Sequence, residues 1–150
     1  MKDIKVKTKT IQQIVHFNAP PEYIYDCLIQ SKLHAQFTGE AAHISPIVGG
    51  TFTAYGDYIS GKNLVLQPGK KIVQQWYCHD LPKNSITEVM FIFRHETVIK
   101  NKKKSVGTKL NFTHKNIPSS TDADLASGWK DYYWKPLKEF LKKEEKKAKV

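Results

Sequence analysis

The 150-residue chain carries six histidines and two cysteines, the side chains that most often bind metals or act as bases and nucleophiles. No two histidines have the HExxH spacing or another spacing typical of a metal site. His95 and His114 fall on two neighbouring predicted strands, where two inward-facing imidazoles would bind a metal or polarise a ligand. A hydrogen-bonded, half-buried pair is the commoner arrangement, so we predict no metal ion and no cofactor.

The run Cys78-His79-Asp80 contains a nucleophile, a base and a carboxylate in consecutive positions. Neighbouring side chains of a strand point to opposite faces, so Cys78 and His79 would not meet. Catalytic triads are assembled from separate segments of a chain. We therefore predict no catalytic residues and expect a protein that is not an enzyme, with a cyclase or hydrolase as the less favoured alternative.

An aromatic cluster near the end of the chain, GWKDYYWKPLKEFL at residues 128–141, is the richest stretch for recognition. On a helical wheel Trp129, Tyr132 and Tyr133 lie in one apolar stripe, which indicates core and also suits the wall of a ligand cavity. Trp134 lies about 120° from the centre of that stripe. It would then touch the rim of a sheet or stand exposed as a partner anchor, since tryptophan is enriched at binding hot spots. The second interpretation predicts a partner-binding surface of Trp134, Lys135 and Lys138.

The elements that position these residues begin with a strand at residues 11–17, which alternates in polarity. Pro20 and Pro21 suit the start of a helix. A second short helix is predicted to begin at Ser31, as its N-cap, and to end at Gly39.

Residues 41–115 predict successive strands separated by glycine and proline turns. The alternation in residues 86–99 and 108–115 places one face of each strand inward, namely Val89, Phe91, Phe93 and His95, and Thr108, Leu110, Phe112 and His114. The last element is a helix of about 20 residues, with a capping box at Thr121 and Asp124 and a bend at Pro136.

This order of elements predicts an α+β helix-grip fold. A curved antiparallel sheet of about six strands would wrap around the long C-terminal helix, and two short helices would follow the first strand. We expect a single domain over residues 1–150, with a core at about residues 10–141. The inward side chains would line a ligand cavity between sheet and helix: Phe37, Phe52, Trp76, Phe91, Phe93, Leu110, Phe112, Trp129 and Tyr133.

The net charge of +10 lies in three segments, residues 1–10, 100–104 and 142–150. These predict a basic N-terminal arm, a basic turn and a lysine-rich C-terminal tail. Arg94 is the one arginine among 24 basic residues, whereas specific readers of nucleic acid favour arginine. We therefore expect no specific nucleic-acid binding. No apolar run suits a signal peptide or a membrane span, and we expect a cytoplasmic monomer.

Three segments resemble, in order, the C-terminal domain of the activator of the heat-shock protein 90 ATPase. They are residues 48–76, residues 107–118 (GTKLNFTHKNIP) and the aromatic segment 128–141. The resemblance covers about residues 10–141. The family that it indicates belongs to the START-like superfamily, which includes the birch-pollen allergen and polyketide cyclases. Its carriers are Gly49, Gly50, Phe52, Gly56, Gly61, Pro68, Val73, Trp76, Gly107, Thr108, Gly128 and Trp129.

The resemblance implies a helix-grip fold and a non-enzymatic module that binds the heat-shock protein 90 chaperone. The eukaryotic activator carries its ATPase-stimulating motif in a separate N-terminal domain, which this chain does not match. Lysine-rich segments would steer the module towards acidic partners. The alternative is that a small hydrophobic ligand, such as a lipid or a polyketide-like molecule, binds between sheet and helix.

Overall fold

A computed structural model of the chain describes residues 7–148. Residues 1–6 of the predicted N-terminal arm lie outside the described residues, and the predicted C-terminal tail continues the last helix as far as residue 148. In chain order the elements are β1 (Thr8–Phe17), α1 (Pro21–Ile29), α2 (Ser31–Thr38), β2 (Ala42–Ile44), β3 (Thr51–Ala54), β4 (Ile59–Gln67), β5 (Lys71–Cys78), β6 (Thr87–Lys100), β7 (Lys103–Pro118), α3 (Leu125–Trp129), a π turn (Lys130–Trp134) and α4 (Lys135–Ala148).

The seven strands form one antiparallel sheet in the order β1-β7-β6-β5-β4-β3-β2. Register shifts between Lys9 and Ile11 and between Asn63 and Val65 interrupt two of the ladders, and such bulges bend and twist a sheet. The C-terminal helix packs against the inner face, so the helix-grip prediction is confirmed. The prediction of about six strands omitted the three-residue edge strand β2.

The inward faces predicted for the two longest strands are confirmed for all but one residue. Val89, Phe91 and Phe93 are buried, as are Thr108, Leu110, Phe112 and His114. His95 is exposed and lies 3.3 Å from Oε1 of Glu22 at the start of α1. The ladder pairs His95 with Thr108 and His114 with Val89, so the two histidines do not meet.

The predicted basic turn is the tip of a long hairpin. Only Asn101 and Lys102 form the loop, and their φ angles of 52° and 65° suit a two-residue type I′ connection. Lys103 and Lys104 already belong to β7.

One of the two predicted ends of α2 is confirmed, and the other is wrong. Gln30, not Ser31, is the N-cap of α2, because the Ser31 hydroxyl accepts a hydrogen bond from the Ile44 N–H at 2.7 Å. Gly39 ends the helix with a φ of 79°, as predicted.

The C-terminal helix begins differently from the predicted capping box. Asp124 is itself the N-cap and accepts a hydrogen bond from the Ser127 N–H at 3.1 Å. Thr121 is buried outside the helix, and its hydroxyl has no partner among the described residues.

The π turn directly precedes Pro136, where the sequence predicted a bend. Proline has no N–H to donate to the carbonyl of Tyr132, four residues earlier. That carbonyl instead accepts a hydrogen bond from the Tyr55 hydroxyl at 2.5 Å. The Lys135 N–H bonds to the Lys130 carbonyl, five residues back, which is the π-helical spacing.

The π turn also changes which aromatic side chains are buried. A π turn holds one residue more than an α turn, so a wheel drawn at 100° per residue fails there. Trp134 is 3% exposed and Tyr132 is 61% exposed, the reverse of the predicted positions. The prediction of an exposed Trp134 is therefore wrong.

Candidate functional site

A cavity of about 600 Å³, here called the main cavity, opens between the sheet and the C-terminal helix. It lies between strands β4 and β5 of the sheet and the segment formed by α3 and the π turn. Buried or half-buried apolar and aromatic side chains form its walls, and polar groups stand at its mouth. Its lining residues are Glu40, Tyr55, Tyr58, Ile59, Trp76, Cys78, Asp80, Ala123, Asp124, Leu125, Ser127, Gly128, Trp129, Asp131, Tyr132 and Tyr133.

Two local features of the sequence open this cavity. Gly128 presents no side chain, and a Cβ built there would meet no atom within 4 Å. Tyr55 and Gly56 begin the β3–β4 turn, residues 55–58, with φ angles of 52° and 70°, and this turn carries the Tyr55 ring to the mouth. The ring lies 5.8 Å from that of Tyr132 and 6.2 Å from that of Tyr133, so the sheet meets the helix there.

A chain of buried hydrogen bonds fixes the floor of the main cavity. Trp129 Nε1 donates to His114 Nδ1 at 3.1 Å, and an indole N–H is only a donor, so Nδ1 is unprotonated. The neutral imidazole then donates from Nε2 to the Thr87 hydroxyl at 2.9 Å, and that hydroxyl donates to the Trp76 carbonyl at 2.5 Å. Burial lowers the pKa of His114 to about 3, so the chain stays intact at neutral pH.

A second histidine supports the wall of the main cavity from behind. His34 Nε2 and the Tyr133 hydroxyl are hydrogen-bonded at 3.0 Å, and burial lowers the pKa of His34 to about 4. Burial also raises the pKa of Tyr133, so both groups are neutral at pH 7. The Nδ1 of His34 has no partner among the described residues. His34 lines a gap of about 10 Å³, which is close to the space that one water needs.

The titratable groups that line the main cavity are held away from reactive forms. Burial raises the pKa of the Cys78 thiol, so it is protonated at neutral pH and a poor nucleophile. Tyr58 donates a hydrogen bond to Asp80, and burial together with that bond raises the pKa of the phenol. Burial, with Glu40 nearby, raises the pKa of Tyr55 to about 12.

The nine predicted cavity residues lie in three places, namely the main cavity, the small gap beside His34 and the core. Trp76, Trp129 and Tyr133 line the main cavity, and Phe52 and Phe91 line the small gap together with the same three rings. The other four are packed in the core, namely Phe37, Phe93, Leu110 and Phe112.

The sequence interpretation missed the mouth of the main cavity. Tyr55, Tyr58, Glu40 and Asp80 come from turns and strand ends, where periodicity gives no signal. The Tyr55-Gly56 pair in a turn was the available indication that an aromatic ring is held away from the core.

The predicted partner-binding residues separate into two groups. Trp134 Nε1 donates to Gln13 Oε1 on the edge strand β1 at 2.7 Å, and its ring stacks on Trp129 at 5.7 Å. This is the rim contact that the sequence left as an alternative. Lys135 and Lys138 are exposed, and Lys135 pairs with Asp131 at 3.0 Å.

Two segments of lysines that are far apart in the sequence meet at one end of the molecule. Lys100 at the hairpin tip contacts Glu145 of α4 at 3.1 Å. This contact unites both segments into one patch, here called the basic surface: Lys100, Lys102, Lys103, Lys104, Lys142, Lys143, Lys146 and Lys147. The described residues contain no group of three or more histidine, cysteine or acidic side chains arranged to hold a metal ion. No helix among residues 7–148 is both long and apolar enough to cross a membrane.

A model of the family described as Activator of Hsp90 ATPase homolog 1-like protein matches residues 18–142. The chain belongs to this family. The predicted resemblance is thereby confirmed, and the matched range holds the main cavity and all but one of the strands.

Relatives of this chain include longer proteins. An uncharacterized protein of Schizosaccharomyces pombe is 26% identical over 133 residues, which are 89% of this chain and 37% of that protein. The Activator of 90 kDa heat shock protein ATPase homolog of Dictyostelium discoideum is 33% identical over 89 residues, 59% of this chain and 23% of the relative. The chain thus spans well under half the length of these relatives.

The fold of this family member is also that of a solved structure, a Hsp90 activator from Plasmodium falciparum. That structure superposes with a TM-score of 0.73 at 22% identity and covers 88% of this chain and 95% of its own. At that identity the likeness establishes the fold alone.

Proposed function

We propose that this chain is a non-enzymatic interaction module that binds a chaperone of the 90 kDa heat-shock kind. The observation that carries the proposal is the family match over residues 18–142, which spans nearly the whole fold. The names of the Dictyostelium relative and the Plasmodium structure point in the same direction.

The basic surface supports the same proposal by its charge and its exposure. Eight lysines come together there around the Lys100–Glu145 contact, and they would attract an acidic partner from a distance. Ile99 and Val106 are 68% and 49% exposed beside these lysines, and such apolar side chains add short-range contact area. The exposed Lys135 and Lys138 lie on the same helix, so they extend the surface towards the π turn.

The state of the groups in the main cavity supports a non-enzymatic role. Its one thiol, Cys78, is protonated at neutral pH.

An amide NMR titration with the heat-shock protein 90 homologue of the same organism tests the proposal. We expect salt-sensitive shifts around residues 99–106 and along the exposed side of α4. The triple variant Lys102→Gln, Lys104→Gln, Lys143→Gln should weaken binding by about tenfold or more at low salt.

A matched control carries the same loss of charge elsewhere, as Lys32→Gln, Lys62→Gln and Lys83→Gln. It should change the affinity by less than about twofold. Absence of binding at any salt would overturn the proposal, and equal weakening by both variants would remove the basic surface from it.

A second candidate function is the binding of a small, largely hydrophobic ligand in the main cavity. Its volume of about 600 Å³ falls within the range of ligand sites, and six of its sixteen lining residues are aromatic. Native mass spectrometry of the purified protein should show a retained adduct. The variant Gly128→Phe fills the cavity with a ring and should lose the adduct, whereas Ile99→Phe places a ring on the exposed hairpin tip, outside the cavity lining, and should keep it. A wild-type protein that retains nothing and binds no member of a lipid and aromatic library would refute this candidate.

A further inference from the structure

The charges around the main cavity are opposite in sign to those of the protein as a whole. The chain has a net charge of +10, yet the lining residues include four carboxylates and no lysine, arginine or histidine. The four are Glu40, Asp80, Asp124 and Asp131, and all are exposed at the mouth.

Two of these carboxylates already have partners that reduce their electrostatic attraction for a ligand. Asp124 caps α3 through the N–H and hydroxyl of Ser127, at 3.1 and 2.8 Å. Asp131 pairs with Lys135 at 3.0 Å.

Glu40 and Asp80 are different, because no basic group among residues 7–148 lies within ion-pair distance of either. Asp80 accepts only a neutral hydrogen bond, from Tyr58. Two uncompensated negative charges therefore stand at the mouth of a cavity with apolar walls.

The walls themselves favour the same sign of charge in a ligand. Six aromatic rings line the main cavity, and the faces of such rings attract cations through their quadrupoles. Four of the rings are tyrosines, and burial raises the phenol pKa of Tyr55, Tyr58 and Tyr133, so these three add no anionic competitor. The six are Tyr55, Tyr58, Trp76, Trp129, Tyr132 and Tyr133.

We infer that the main cavity binds an organic cation with an apolar body, such as an aromatic amine or a quaternary ammonium compound. This inference rests on the proposed ligand-binding function. The apolar body lies against Trp76, Trp129 and Leu125, and the cationic head lies at the mouth near Glu40 and Asp80. Fatty acids and other anionic amphiphiles are disfavoured, because their carboxylates would meet like charges there.

Three probes with the same naphthylmethyl body and different charge test the inference. They are (1-naphthylmethyl)trimethylammonium, 1-naphthylmethanol and 1-naphthylacetate, each titrated at low ionic strength and followed by the indole N–H signals of the tryptophans. We expect the cation to bind about tenfold or more tightly than the alcohol and the anion to bind more weakly than both. Added salt should reduce the preference for the cation.

The variant Glu40→Gln, Asp80→Asn keeps the side-chain shapes and the acceptor for Tyr58. It should abolish most of the preference for the cation and change the affinity for the alcohol by less than about twofold. The control variant Glu88→Gln, Glu139→Gln removes the same charge outside the cavity and should keep the preference.

The possible results distinguish a failure of this inference from a failure of the proposed ligand binding on which it rests. If none of the three probes binds at millimolar concentration, ligand binding in the main cavity is itself refuted. If all three bind equally, or the anion binds best, the cavity accepts ligands but the assignment of charge is wrong. A preference for the cation that survives in the Glu40→Gln, Asp80→Asn variant would also overturn the assignment.

Discussion

Trp129 and His114 are joined by a hydrogen bond of 3.1 Å from the indole Nε1 to the imidazole Nδ1. This contact connects the C-terminal helix to the inner face of strand β7. It requires an unprotonated Nδ1, because a proton there would place two N–H groups against each other. This hydrogen bond between helix and sheet therefore forms only while His114 is neutral.

Acid should destabilise the protein through its two buried histidines. Burial lowers the pKa of His114 to about 3 and that of His34 to about 4, from an ordinary value of 6.5. Below pH 6.5 the unfolded chain binds these protons and the folded protein does not, so the free energy of unfolding falls as pH falls. Each histidine contributes about 1.4 kcal/mol per pH unit down to its folded pKa.

Urea unfolding at pH 7, 6 and 5, followed by far-UV circular dichroism, measures this slope. The variant His114→Asn should lower the stability at pH 7 and make the slope shallower by the contribution of one histidine. The exposed His43→Asn should leave the slope as it is, and an unchanged slope in His114→Asn would contradict the assignment.

The Tyr55 hydroxyl should be energetically coupled to Pro136, because both act on the Tyr132 carbonyl. Tyr55→Phe removes the hydrogen bond of 2.5 Å and should cost about 1 kcal/mol of unfolding free energy. In a Pro136→Ala background the new backbone N–H can donate to the same carbonyl, so the same change should cost less. A double-mutant cycle should give a coupling of about 0.5 kcal/mol or more, and additive effects would count against the shared carbonyl.

Trp134 should matter for stability far more than its neighbour Tyr132. Trp134 is buried, donates to Gln13 and packs against Phe112 at 5.2 Å. Its replacement by alanine should cost about 3–5 kcal/mol, whereas Tyr132→Ala should cost less than about 1 kcal/mol. Chemical denaturation of the two variants measures both losses of unfolding free energy. Similar losses would contradict the burial assigned to the π turn.

Two glycines should respond in opposite directions to the same substitution. A Cβ on Gly61 would lie 2.0 Å from the Gln75 carbonyl oxygen and 2.5 Å from the Phe52 ring. Gly61→Ala should therefore cost at least about 2 kcal/mol of unfolding free energy. Gly128 lies in α3 with open space around it, so Gly128→Ala should stabilise the helix by about 0.5–1 kcal/mol. Thermal unfolding midpoints should move down for the first variant and up for the second.

Alternation along the strands was sufficient to predict the fold and most of the core. The faces of β6 and β7 are specified because a slip of one residue would bury Arg94 of β6 and Lys109 and Lys115 of β7. The side of the C-terminal helix that carries Trp129, Tyr133 and Leu137 was also predictable, since its buried residues recur at helical spacing.

The mouth of the cavity was not predictable from these patterns. Tyr55 reaches it from a turn, and Tyr132 and Trp134 exchange positions because Pro136 interrupts the hydrogen bonds of the helix. Such positions depend on which distant backbone groups lack a partner, and that information is absent from local spacing. The meeting of Lys100 with Glu145 likewise depends on the length of the β6–β7 hairpin.

All three tryptophans of the chain belong to one cluster in which Trp129 is central. Its ring lies 5.1 Å from that of Trp76 on the sheet and 5.7 Å from that of Trp134 on the helix, at angles of 39° and 21°. Indoles this close share their electronic excitations, so the tryptophan absorption and emission of the protein report a single place. That spectroscopic signal follows the closure of the helix on the sheet, and events at the hairpin tip leave it unchanged.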